Sequence, residues 1–141
     1  MKISQIASLL ITASLFALSV CAEEPSLSCE EAYTNAEMIQ CAGFDLDKAD
    51  AQLNSYLKTS LEHQSSDPEL VAAIEKSQQA WLGYRESQCD AVYTQWREGT
   101  MRSLIGIGCK IELTQQRTME IWSNFLVSMD GSEVLPEPQF Q

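Results

Sequence analysis

The 141-residue sequence is poor in histidine and in basic residues. His63 is the single histidine, and nine Lys and Arg residues stand against twenty Asp and Glu residues. A lone histidine leaves little material for general acid–base chemistry, and the five cysteines include no Cys-x-x-Cys pair. We therefore expect no catalytic residue, no metal and no cofactor.

The chain also lacks a glycine-rich phosphate loop, a nucleophile elbow and any basic patch. Nucleic acids and anionic membranes need such patches, so neither is an expected partner. The formal net charge of −11 suits a cationic partner, although solubility alone would explain it equally well. A cell-wall hydrolase with two acids facing one cleft is a third and distant alternative, which no spacing of acids favours.

No apolar run reaches the roughly 20 residues that a membrane-spanning helix needs. A shorter apolar run follows Lys2 and ends in small residues, which predicts a secretory signal peptide at residues 1–22. Cleavage after Ala22 is the first choice. The alternative is a lipid-modified Cys21, because "LSVC" resembles a lipoprotein box in which Val20 fits poorly. We expect a periplasmic or secreted protein, attached to a membrane only if Cys21 is lipidated.

What remains is helical in pattern, since no stretch alternates β-branched and polar residues between turn signals. We predict an all-α fold, a small bundle of about four helices, with the last two forming a long antiparallel hairpin. The predicted helices span about 29–39, 45–64, 68–98 and, after a turn near Gly99, continue to about 129. Gly43 and Pro68 supply the stop and start signals between them. Residues 23–130 form the domain, and the tail 131–141 is expected to be disordered.

Four cysteines remain after the signal peptide, and an even number in a small exported domain implies two disulfides. Cys89 lies ten residues before Gly99 and Cys109 ten residues after it, so a hairpin turning at Gly99 would bring them together. Cys29 then pairs with Cys41. One continuous helix would hold these two roughly 18 Å apart, so the first helix must end or kink near Cys41.

The stretch "QQAWLGYRESQC", residues 78–89, concentrates aromatic and charged side chains on the third predicted helix. Trp81 and Tyr84 are expected in the core. Arg85 can cover these rings with its aliphatic stem while its guanidinium pairs with a carboxylate. The candidate carboxylates are Glu37, Glu112 and Glu120.

A wider pattern links these segments. It reads C-x4-T-x2-E-M-x2-C from Cys29, AD-x2-LN-x-Y from Ala49, Q-x-AWL-x-YR-x3-C from Gln78 and C-x4-T-x2-R from Cys109. Its structural signature residues are Thr34, Glu37, Gln78, Trp81, Tyr84, Arg85 and Arg117. The series covers residues 29–126 and resembles the LprI-type lysozyme inhibitor family of small exported bacterial proteins. The turn before Cys109 departs from the resemblance, because the family is often richer there in glycine and small residues.

The resemblance implies a helical, disulfide-linked domain that binds and inhibits lysozyme or another cationic protein. Most relatives of this type have no assigned function, so an envelope structural or interaction protein without inhibitory activity is the alternative. Animal-type lysozymes are strongly basic and carry catalytic carboxylates in their cleft. An acidic protein would be steered toward them, and Arg97 or Arg102 near the Gly99 turn would then reach the cleft.

Overall fold

The computed structural model describes residues 28–140, and its regular elements are helices. A 3-10 turn, Cys29–Glu31, precedes three α-helices: α1 is Asn35–His63, α2 is Pro68–Gln95 and α3 is Arg102–Phe125. Within the described range, β-type pairing is limited to one bridge between Val127 and Glu133. The all-α prediction is confirmed, but the bundle has three helices and not four.

The first two predicted helices are a single helix, α1, that continues through Gly43. One glycine in a helix interior costs only about 1 kcal/mol relative to alanine, too little to interrupt 29 residues of helix. The helix also begins later than expected, at a capping box. The Thr34 hydroxyl accepts from the Glu37 N–H, and the Glu37 carboxylate accepts from the Thr34 N–H at 2.8 Å.

Cys29 and Cys41 form a disulfide with their Cα atoms 5.6 Å apart, as the sequence predicted. The required reversal of the chain lies elsewhere than expected. Cys29 sits in the 3-10 turn before α1, and the residues after Glu31 are extended until Thr34. The chain therefore folds back before α1, and Cys41 occupies an uninterrupted helix.

α3 lies between the other two helices and packs against both. Its Ile121 joins Leu53 and Tyr56 of α1 in the main hydrophobic core, together with Leu126 just beyond the helix. Two threonines of α3 are also fully buried. The Thr114 and Thr118 hydroxyls donate to carbonyls one turn earlier in α3, so these small side chains leave no unmet donor against the neighbouring helices.

Contacts between α2 and α3 join residues in opposite chain order. Cys89 is disulfide-bonded to Cys109, Glu86 accepts from Lys110, and Gln78 accepts from Arg117. α2 ends at Gln95, earlier than the predicted residue 98, and α3 ends at Phe125 rather than near residue 129. The disulfide therefore joins the two helices in the half of the hairpin that is nearer to the connecting turn.

Residues 131–140, expected to be disordered, instead lie along α1 and α3. The chain reverses at Gly131, whose φ of +81° is a left-handed conformation open to glycine. The Trp122 indole N–H then donates to the Leu135 carbonyl at 2.9 Å, and the Tyr56 hydroxyl donates to the Pro136 carbonyl at 2.8 Å. Prolines exclude a helix here, but they leave these carbonyls free to accept from aromatic donors on the bundle.

The predicted signal peptide, residues 1–22, and Cys21 lie outside the described residues. Among residues 28–140, no helix is both long enough and apolar enough to cross a membrane.

Candidate functional site

Arg85 is the central polar contact of the bundle, with a side chain only 13 % exposed. Its guanidinium Nη1 donates to the Asp50 carboxylate of α1 and to the Thr114 hydroxyl of α3, the latter at 2.7 Å. The same guanidinium lies 5.0 Å from the centroid of the Trp81 ring. One side chain of α2 thereby fixes the positions of all three helices.

The three carboxylates proposed from the sequence as partners of Arg85 are all engaged elsewhere. Glu37 closes the capping box, Glu120 pairs with Arg117 at 3.0 Å, and Glu112 accepts from Gln116. Asp50 lies on α1 opposite Arg85 of α2. The two side chains meet because α1 and α2 both pack against α3. The "AD-x2-LN-x-Y" motif contains Asp50 and was the one sequence signal that could have identified it.

Arg117 makes a second set of polar contacts farther along α2 and α3, with a side chain 11 % exposed. It donates to Gln78 at 3.1 Å and to Ser77 at 2.6 Å, both on α2, besides its pair with Glu120. Gln78 is itself buried. These bonds satisfy polar groups between two helices and hold the helices in register, so their role is structural.

Trp81 and Tyr84 differ in environment, although both were expected in the core. Trp81 is partly buried and packs against the Leu53–Ile121 cluster, whereas Tyr84 is 52 % exposed. Three residues along an α-helix rotate a side chain by about 300°, which turns Tyr84 about 60° away from Trp81. The expectation for Tyr84 is therefore wrong, and its ring belongs to the surface.

The turn between α2 and α3 brings together the two arginines proposed to bind a partner. Arg102 donates to the Arg97 carbonyl at 3.1 Å, and its guanidinium lies 5.3 Å from the centroid of the Tyr93 ring. Arg97 makes an exposed ion pair with the adjacent Glu98 at 3.5 Å. Trp96 beside them is 52 % exposed. The turn is thus an exposed surface that presents arginine and tryptophan, two residue types enriched among binding hot spots.

Most of the basic charge of the described residues is already neutralised within the protein. Six of the eight basic side chains in residues 28–140 form ion pairs: Lys48, Lys58, Arg85, Arg97, Lys110 and Arg117. The carboxylates outnumber them, so the remaining surface charge is strongly negative. A long-range attraction for cationic molecules follows.

The shifted acidic groups have structural causes. The Thr34 N–H lowers the pKa of Glu37, the Lys110 ammonium lowers the pKa of Glu86, and the Ser132 N–H lowers the pKa of Asp130. Each carboxylate is held by residues next to it in the fold, and the three lie at different places in the structure. Stabilised carboxylates of this kind favour the ionised form and do not make an acid–base pair.

Among residues 28–140, neither the single histidine nor the acidic residues form a site for acid–base catalysis or metal binding. His63 is exposed at the last turn of α1. Across residues 28–140, no group of three or more histidine, cysteine, aspartate or glutamate side chains could hold a metal ion. The site with the most distinctive chemistry is therefore a surface, formed by the α2–α3 turn and the helices that lead into it.

Comparison with known proteins agrees with this architecture. The family model described as "Lysozyme inhibitor LprI" matches residues 28–121, a range that contains both disulfides and the Arg85 and Arg117 contacts. An uncharacterized protein of Rhizobium meliloti strain 1021 is 34 % identical over 111 residues, which cover 71 % of this chain and 80 % of the relative. No solved structure matches. The chain belongs to the LprI lysozyme inhibitor family.

Proposed function

We propose that this protein is an exported, acidic inhibitor that binds lysozyme. Family membership carries the proposal, because the matched range includes the cysteines and the polar contacts that make the bundle rigid. A rigid scaffold loses little conformational entropy on binding, which favours tight association. Binding without chemistry also fits a protein whose shifted acids are isolated from one another.

The charge of the protein supports a cationic partner. Loss of Lys2 with the predicted signal peptide would make the formal charge −12, one unit more negative than the −11 of the whole chain. Lysozymes of the animal type are strongly basic, so opposite charge would accelerate encounter. The attraction between exposed charges falls as salt shortens the Debye length to about 8 Å at physiological ionic strength.

The α2–α3 turn is the proposed contact with the lysozyme cleft. Trp96 and Arg97 are exposed there, and Arg97 and Arg102 carry the charge that catalytic carboxylates would attract. The cation–π contact with Tyr93 and the bond to the Arg97 carbonyl orient Arg102 before binding. A pre-oriented arginine loses fewer rotamers in the complex, and this raises affinity.

A turbidity assay tests inhibition directly. Bacterial cell walls are treated with hen-type lysozyme, with and without the purified chain lacking residues 1–22, at 20 mM and 300 mM salt. We expect lysis to slow at micromolar protein and the effect to weaken at high salt. Unchanged lysis at low salt, together with no binding by calorimetry, would favour the alternative of an envelope interaction protein without inhibitory activity.

Substitutions at the turn test the contact site. Arg97→Ala and Arg102→Ala should each weaken inhibition, whereas Lys76→Ala should not. Lys76 is an exposed cation on α2, about 28 Å from the end of that helix at 1.5 Å per residue. If all three substitutions have equal effects, the arginines contribute only through the net charge of the protein. That result would contradict the proposal that the turn contacts lysozyme.

An extracytoplasmic location also belongs to this proposal. Two disulfides persist most readily in an oxidising compartment, such as the periplasm or the exterior. Mass spectrometry of the protein recovered from its source distinguishes cleavage after Ala22 from a lipid-modified Cys21. A mass corresponding to the uncleaved chain in the cytoplasm would contradict export.

A further inference from the structure

An uncovered groove runs between α2 and α3 on the surface that carries Tyr84. It has a volume of about 430 Å³ and opens to solvent. Residues from both helices line it, among them Tyr84, Gln88 and Val92 of α2 and Ile105, Glu112 and Leu113 of α3. Gly108 also lies in the lining, and an added side chain there would meet open space. The missing side chain at Gly108 therefore helps to keep the groove open.

The groove combines aliphatic and aromatic surface with a single carboxylate. Val92, Ile105 and Leu113 provide aliphatic surface, and the Tyr84 ring is 52 % exposed. Glu112 is the only acid in the lining, and no Lys or Arg side chain lines it. The Glu112 carboxylate is exposed and accepts one bond, from the Gln116 amide at 3.2 Å. It thus has acceptor capacity left for a second donor.

A lysine or arginine side chain matches this combination. Its methylene stem can lie on aliphatic residues while its charged end reaches a carboxylate. A tyrosine ring beside that carboxylate adds a cation–π attraction. An apolar side chain would leave Glu112 facing a hydrophobic surface, and an anionic one would meet like charge in a protein of net charge −11.

We propose that this groove receives a lysine or arginine side chain of a cationic protein partner. The inference rests on the proposed function in one respect, that the natural partner is lysozyme. Val92 is four residues before Trp96, and Ile105 is three residues after Arg102, so one end of the groove lies within about one helical turn of the α2–α3 turn. The turn and the groove would then form one interface, with cations entering the partner at the turn and a cation of the partner entering the groove.

The first experiment uses tetralysine as the probe and tetra(Nε-acetyl-lysine), which keeps the stems but removes the charges, as its control. In ¹H–¹⁵N spectra at low salt, tetralysine should produce saturable shifts at Tyr84, Gln88 and Glu112, and the acetylated peptide should not. Shifts spread evenly over the acidic surface without saturation would overturn the groove. Equal shifts with the acetylated peptide would overturn the cationic occupant in favour of an apolar one.

Matched substitutions then assign the contacts. Glu112→Gln should weaken tetralysine binding about threefold to fivefold, the range of an exposed ion pair. Glu75→Gln removes an exposed carboxylate on α2, outside the groove, and should change binding less than about 1.5-fold. Tyr84→Leu should weaken binding about twofold to fivefold, while Tyr33→Leu, at a ring 85 % exposed outside the groove, should not. The proposal would be overturned if Glu75→Gln weakened tetralysine binding as much as Glu112→Gln, or if Tyr33→Leu weakened it as much as Tyr84→Leu.

The lysozyme assay separates this inference from the proposed function. Saturable tetralysine binding without inhibition of lysozyme would retain the groove and remove lysozyme as the partner. Inhibition that Glu112→Gln and Tyr84→Leu leave unchanged would retain the function and remove the groove. A concentration-dependent dimer that Tyr84→Leu abolishes would show that a second copy of the chain occupies the groove, and this too would overturn the proposal.

Discussion

Arg85 on α2 and Asp50 on α1, 35 residues apart in sequence, form an ion pair that also includes the Thr114 hydroxyl of α3. The arginine is nearly buried, whereas the aspartate is 37 % exposed. Burial makes the loss of one partner costly, because the remaining charge keeps its desolvation penalty without its attraction. The pair is therefore a test of how the three helices are held together.

Asp50→Ala should lower the free energy of unfolding by about 1–3 kcal/mol, less than for a fully buried pair because water reaches the carboxylate. Urea unfolding of Asp50→Ala, Arg85→Ala and the double variant should give a coupling energy of about 1 kcal/mol or more. The exposed pair Asp45–Lys48 on α1 is the matched control, and its coupling should be near zero. Similar coupling in both pairs would contradict a special role for Arg85.

Gly43 and Gly131 should respond to alanine with opposite signs. Gly43 is inside α1 and an added Cβ would meet nothing within 4 Å, so Gly43→Ala should stabilise by about 0.5–1 kcal/mol. Gly131 has φ +81°, and Gly131→Ala should destabilise by about 1–2 kcal/mol. Thermal and urea unfolding measure both. A loss of stability in Gly43→Ala would show that α1 is interrupted there.

Removal of residues 131–141 should expose the surface that this segment covers. The truncated chain loses the bonds of Tyr56 and Trp122 to the Pro136 and Leu135 carbonyls and part of the packing of Leu135. Each net hydrogen bond contributes about 1 kcal/mol, so the whole segment should contribute about 2–4 kcal/mol.

The fluorescence of Trp122 provides a second readout, because its indole should become more exposed and its emission should shift to longer wavelength. Tyr56→Phe serves as the mild variant, since it removes one donor and should cost about 1 kcal/mol. A truncated chain with unchanged stability and unchanged emission would mean that the segment does not pack in solution.

Glu37 gives the start of α1 a pH dependence. The Thr34 N–H, followed by the Thr34 hydroxyl and the Tyr33 N–H, holds the pKa of Glu37 below its ordinary value of 4.5. A folded pKa below the unfolded one means that the carboxylate form stabilises the fold. This contribution is complete above pH 4.5 and is lost as the pH falls through the lowered pKa.

The difference in melting temperature between the native chain and Glu37→Gln should therefore be largest near pH 6 and should shrink as the pH falls below about 4.5. Glu69→Gln, an exposed first-turn acid of α2, provides a reference for the general effect of removing a charge near a helix N-terminus. A constant difference between the native chain and Glu37→Gln from pH 6 to pH 2.5 would contradict the capping role.

Local patterns predicted the helical content well and the helix boundaries less well. Pro68 after Asp67 marked the start of α2, because capping and the fixed φ of proline act within one turn. Gly43 predicts the end of a helix, yet packing of α1 on α3 outweighs its small propensity cost. The sequence predicts a helix from about residue 29 capped by Ser28, whereas the helix begins at Asn35 after the capping box at Thr34.

Local sequence could not predict which carboxylate pairs with Arg85 or whether residues 131–140 pack against the helices. Three carboxylates were plausible partners of Arg85, and the actual one, Asp50, depends on how α1 and α2 are placed by α3. Tyr84 and Trp81 are three residues apart, and only the direction from which α3 packs decides which ring is covered. The prolines of the C-terminal segment exclude a helix, but they do not predict that Tyr56 and Trp122 donate hydrogen bonds to carbonyls of this segment.

The sequence by itself determined the helical class, the two disulfide pairs and the family, since each follows from periodicity, cysteine spacing or motif spacing along the chain. Tertiary structure alone decided that three helices form, that Asp50 meets Arg85, that Leu135 and Pro136 accept bonds from Trp122 and Tyr56, and that a groove opens beside Tyr84. The physical reason is the range of the interactions. Capping and helix propensity act over one or two turns, whereas ion pairs, burial and clefts depend on which surfaces the folded chain brings together.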